Sequence, residues 1–147
     1  ASTSADSYVL FWPLSAGKTD GDSLYSLKLF KEQILGFLVF GDMKKADYAV
    51  ELGTKRTLEA EKLIKIGKNN LAVKTLKRAD DELLSAYDNV KNASTKGKVS
   101  SDQIRRDRLI NIKKLIDFLK PASPQETQTE LDSVKNRADS LLRDFLP

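Results

Sequence analysis

Residues 42 to 66 read DMKKADYAVELGTKRTLEAEKLIKI. Met43, Ala46, Val50, Gly53, Ala60 and Ile64 recur along this stretch at three-four spacing, and Thr57 fills the polar gap. A stripe of that period is one face of an α-helix. Asp42 is placed to cap it, and Gly67 to end it. The pattern repeats downstream. Ala72, Leu76, Ala79, Leu83, Ala86 and Val90 make a third helix from about Asn70 to Asn92, and Asn92 through Lys98 is a polar connection containing Gly97. Ser100 or Ser101 caps a fourth helix whose apolar face holds Ile104, Leu109, Ile112, Ile116 and Leu119. Pro121 stops it. Ser123-Pro124 then gives a cap followed by a proline suited to a first helical turn, and Leu131, Val134, Ala138, Leu141 and Phe145 line a fifth helix.

Upstream, a shorter first helix opens near Asp22 or Ser23 and carries Leu24, Leu27, Phe30, Ile34 and Leu38 on one side. Residues 1 to 21 lack helical period. Tyr8-Val9-Leu10-Phe11-Trp12 is a compact apolar run stopped by Pro13, and no later strand is available to pair with it. It reads as an extended arm whose aromatics lie across the helices. The expected fold is all-α: an antiparallel up-down four-helix bundle over residues 42–146, with an additional helix over 22–40 laid alongside and an arm over 1–21, all in one domain of residues 1–147.

Composition narrows function mainly by exclusion. The 147 residues include no histidine and no cysteine, so thiolate chemistry, disulfides and His/Cys metal sites are out. A 40% hydrophobic, 31% charged chain suits a packed helical domain, and no run approaches the ~18 apolar residues a membrane span needs. The net charge is +4, with the excess between Asp42 and Val99, where 13 basic residues face 9 acidic ones.

Motif imitations fail on inspection. Gly17-Lys18-Thr19 resembles the end of a phosphate loop, but the position of that motif's first glycine is Trp12. Asp20 and Asp22 lack the alternating ligands of a calcium loop. Asp80-Asp81-Glu82 points three ways around a helix, about 100° apart, and reads as surface charge. Glu59 with Lys62, and Glu61 with Lys65, look like helix-surface pairs. Asn92-Ala93-Ser94 fits a glycosylation sequon that matters only in a eukaryotic secretory pathway. Small and apolar residues from Ala60 through Leu63, Gly67, Ala72, Leu76 and Ala79 imitate a tetratricopeptide hairpin, but no 34-residue period continues it, so they imply close helix packing alone. No cofactor or metal is expected.

Three function classes remain. The first is a non-enzymatic structural or protein-docking module, with Tyr8, Phe11, Trp12 and Tyr25 as candidate partner anchors; the competing reading is that they staple the arm to its own bundle. The second is a binder of nucleic acid or another polyanion through Arg105, Arg106, Arg108, Lys113 and Lys114, although Asp102, Asp107 and Asp117 interrupt that run. The third is a hydrolase using paired carboxylates on facing helices.

Residues 8 to 91 resemble an uncharacterised family of exported bacterial helical domains of unknown function. Its members open on an aromatic, proline-containing lead followed by Asp-Ser-Pro-Leu-Tyr-x-Leu-Lys; this chain has Asp22-Ser23-Leu24-Tyr25-Ser26-Leu27-Lys28, without the proline. The next helix of the family begins with an acidic cap and paired lysines, as at Asp42, Lys44, Lys45 and Ala46. Lys55-Arg56, Glu59-Ala60, Gly67-Lys68 and Leu71-Ala72 also correspond. Ser15 through Gly21 departs from the family's Pro-Gly-x-Leu-Pro turn. The resemblance implies an extracytoplasmic address (periplasmic, secreted or cell-surface) and supplies no catalytic residues. Ala1-Ser2-Thr3-Ser4-Ala5 fits the segment downstream of a cleaved N-terminal signal or anchor, and an expression scar would look the same.

Overall fold

The computed structural model describes residues 19–22 and 24–145. Over them the chain forms α1 (Tyr25–Phe37), α2 (Asp42–Lys65), α3 (Asn69–Thr95), α4 (Gln103–Leu119), a 3-10 turn (Lys120–Ala122) and α5 (Gln125–Asp144), with no strand among the described residues. The expected all-α class holds. The expected arm, with Tyr8, Phe11 and Trp12, lies outside the described residues.

The boundaries follow local chemistry. Gly67 sits at φ 77°, a left-handed conformation that any side chain would strain. It lets Lys68 N–H reach Leu63 O at 2.9 Å and Gly67 N–H reach Ile64 O at 3.1 Å, closing the last turn of α2 in a Schellman motif. Asp102, rather than Ser100 or Ser101, caps α4: its carboxylate accepts from Arg105 N–H at 3.0 Å. At the head of α2 the cap position belongs to Gly41, and Asp42 is instead the first helical residue, its carboxylate paired with Lys96 at 2.7 Å. Asp22 does not cap α1. Its carboxylate closes the preceding turn by accepting from Thr19 N–H at 2.7 Å. Ser123 donates its hydroxyl to Leu119 O at 2.8 Å rather than capping α5.

The apolar seams of α2 to α5 meet in one core. Ala46, Val50, Ala60, Leu76, Leu83, Leu109, Ile112, Ile116, Leu131, Val134 and Leu141 are all buried in it, and each large aliphatic contributes about 1.5–3 kcal/mol relative to leaving it in water. α2 and α3 pack most extensively. Gly53 permits this: a Cβ there would lie 2.8 Å from Leu83 Cδ2. Ion pairs fix the directions. Lys113–Asp139, Lys135–Asp117 and Lys120–Asp132 run in opposite order along α4 and α5, which are therefore antiparallel. Asp80–Arg137 and the Tyr87–Phe145 edge contact run in the same order, so α3 and α5 lie parallel. Packed neighbours follow the ring α2, α3, α5, α4, which sets α3 and α4 across the core rather than side by side.

Leu24, Leu27, Phe30, Ile34 and Leu38, read as one side of the first helix, are all exposed. The residues of α1 that are buried are Tyr25 and Glu32. At about 100° per residue, Phe30, Ile34, Leu27 and Leu38 fall in one arc opposite that pair. The helix is fastened by its polar side.

Candidate functional site

The fastening is a charge cluster between α1 and the α2–α3 hairpin. Tyr25, Lys28 and Glu32 are spaced three and four apart on α1, so they project together toward Arg56 and Glu59 of α2. Arg56 Nη1 donates to both Glu59 oxygens, at 2.7 and 2.9 Å, while Nη2 donates to Glu32. Lys28 pairs with the same Glu59 carboxylate, and the Tyr25 hydroxyl donates to it at 2.9 Å. Arg78 of α3 donates to the Tyr25 oxygen at 3.3 Å and to Asp20 at 3.2 Å. The Tyr48 hydroxyl donates to the backbone oxygen of Glu32 at 2.8 Å. The Tyr25 ring itself is surrounded by cations, with Arg78, Lys28 and Arg56 at 5.4, 5.6 and 5.9 Å from its centroid.

Glu59 is wholly buried and Arg56 nearly so. Two charges taken out of water are stable only when fully paired and hydrogen-bonded; here each is. Glu59 was expected on the helix surface beside Lys62, and that reading is corrected: three partners claim it from α1 and α2. The Glu61–Lys65 pair is present at 3.3 Å, although Glu61 is itself buried. Burial pushes the Tyr25 hydroxyl up to about 12, with the Glu59 carboxylate adding to the shift and Arg56 opposing it. Burial lowers Lys28, against its hydrogen bond to Glu59.

Because side chains rather than interlocked backbones hold α1, a cleft of about 470 Å³ opens between it and the hairpin. Leu29, Val39, Ala49 and Leu52 form apolar wall, and Glu82, Tyr48, Lys45 and Ser85 supply polar groups. Burial holds the Glu82 carboxyl above the usual carboxylate range, against the pull of Arg56. Glu82 had been read as surface charge with Asp80 and Asp81. Asp81 stays exposed at the cleft it helps to line, Asp80 pairs with Arg137 at 3.0 Å, and Glu82 lies half-buried in the cleft. The cleft's other deeply placed carboxylate, Glu32, is committed to Arg56. No group of acidic residues that would hold a metal ion occurs among the described residues.

Of the sequence candidates, Tyr25 is 3% exposed and acts as a staple inside the domain. The basic residues of α4 do not form one face. Arg105 is buried, with its guanidinium on Asp47 and Ser100 O, and Lys113 is paired with Asp139. Arg106 and Lys114 lie about 80° apart around the helix, whereas Arg108 projects from another side, at about 100° per residue. Sequence reading missed Arg56, Glu59 and Glu32. A signal was present: the polar stripe Tyr25, Lys28, Glu32 has the same period as the apolar one.

Residues 17–139 match the family model described as Domain of unknown function (DUF5667). The chain belongs to that family. The match spans both halves of the charge cluster, from the turn before α1 through α3, and continues into α5. No curated protein and no solved structure matches the chain. The match begins after the aromatic lead of the resemblance read over residues 8 to 91 and runs past its C-terminal end, and the family is one of unknown function. No described helix is long and apolar enough to cross a membrane.

Proposed function

We propose that this DUF5667 domain is a non-catalytic docking module outside the cytoplasmic membrane: a four-helix bundle, up and down in chain order but with α3 and α5 as parallel neighbours, that carries α1 as its contact element. One observation supports the reading above the others. α1 turns Phe30 (59% exposed), Phe37 (75%) and Phe40 (77%) outward while its polar side is bolted to the hairpin. Taking about 200 Å² for a whole phenylalanine, these three alone leave roughly 400 Å² of apolar surface in water. Leucines 24, 27, 35 and 38 add to it, carrying the patch past the ~300–600 Å² typical of the largest on an ordinary monomer. A surface that costly in water is offset when a partner covers it. The extracytoplasmic address rests on the family resemblance.

The test is a photo-cross-linking residue placed at Phe37 and, as control, at the exposed Asn136 of α5. In living cells, position 37 should give a discrete adduct and position 136 none. Equal labelling from both positions, or none from either, contradicts a docking role for α1.

A further inference from the structure

The occupant of the α1 face is readable from charge. Along residues 24 to 45 both acidic side chains are paired: Glu32 inside the fold with Arg56, and Asp42 at the surface with Lys96. The exposed charges are Lys31, within the apolar arc, and Lys44 and Lys45, which follow the apolar tip at Phe40 in the chain, Lys45 also lining the cleft. The outward surface is thus apolar with a basic rim. A two-fold pairing centred on α1 would set Lys31, the middle residue of Tyr25–Phe37, beside its own copy, which disfavours that dimer.

Resting on the docking reading, we propose that this face binds the surface of an anionic phospholipid bilayer. α1, about 20 Å long at 1.5 Å per residue, lies in the plane of the interface. Phe30, Ile34, Phe37 and Phe40 enter the headgroup–acyl boundary, and Lys31, Lys44 and Lys45 meet the lipid phosphates, Lys31 by extending its stem out of the apolar arc. In a free amphipathic helix the polar side would face water; here the bundle occupies it through Arg56 and Glu59, which fixes the outward face before any membrane is met.

The test is co-sedimentation of the full chain with vesicles of phosphatidylglycerol and phosphatidylcholine, and with vesicles of phosphatidylcholine alone. The chain should sediment with the anionic vesicles and far less with the neutral ones. Each lysine replaced in the series Lys31→Gln, Lys44→Gln, Lys45→Gln should weaken binding roughly five-fold. Phe37→Ser with Phe40→Ser should weaken it at least ten-fold, with an unchanged melting temperature to show an intact fold. Binding to anionic vesicles that ignores the phenylalanine changes overturns the inference, as does absence of binding. If vesicle binding is absent but the position-37 adduct is a protein, the lipid inference fails while docking stands; if both are absent, both fail.

Discussion

Arg56 has two carboxylates to satisfy, Glu59 and Glu32, and its loss is correspondingly costly. Arg56→Met keeps much of the side chain's bulk but leaves a fully buried Glu59 with one cation fewer and Glu32 without its ion pair. Removing one member of a buried pair costs about 3–5 kcal/mol, so urea denaturation should show a loss of that size; a change below about 1 kcal/mol would mean that water reaches the cluster. Glu82 carries the opposite sign. Burial raises its carboxyl in the fold, so the ionised form is penalised above the raised value and the penalty vanishes below its ordinary value near 4.5. Glu82→Gln should therefore raise the melting temperature at pH 7, with the gain shrinking as pH falls and gone below about 4. A gain that persists at acid pH would point to packing instead of charge. None of these roles was legible from residue identity, because a charged residue is usually at the surface and Arg56, Glu59 and Glu32 meet only in the folded chain.

α2 and α3 were well marked by their seams of small and apolar residues, and the structure shows why the small ones matter. At Gly53 a helix that elsewhere favours alanine by about 1 kcal/mol gives up that preference so that Leu83 fits beside it. Gly53→Val should destabilise by about 1–3 kcal/mol through overpacking, read from the thermal transition; a neutral result would mean that Leu83 repacks without loss. α1 is the element whose pattern names a face but not its surroundings. Period identifies which residues share a face, so Leu27, Phe30, Ile34 and Leu38 do lie together. It does not say whether the face meets the core or the solvent. A stripe of Tyr25, Lys28 and Glu32 with the same period competed for the inward position. It won because Arg56 and Glu59 wait on α2, and unpaired charges inside the fold would cost more than phenylalanines outside it.

The four-helix core could be read before folding because α2 to α5 each bury one continuous seam. Neighbour order could not: the sequence does not say that the 96–102 link carries the chain across the core, so that α3 and α5 become parallel neighbours. The proposed function rests on a division of labour: α2 to α5 bury one seam each, while α1 keeps its apolar side in solvent. The most direct test is the stability of the chain carrying Phe30→Ser and Phe37→Ser, measured by thermal and urea denaturation. Outward-facing rings predict changes within about 0.5 kcal/mol for each substitution. A loss of about 3–5 kcal/mol per ring, the cost of emptying a core phenylalanine site, would show that α1 packs its apolar side inward and would contradict the account.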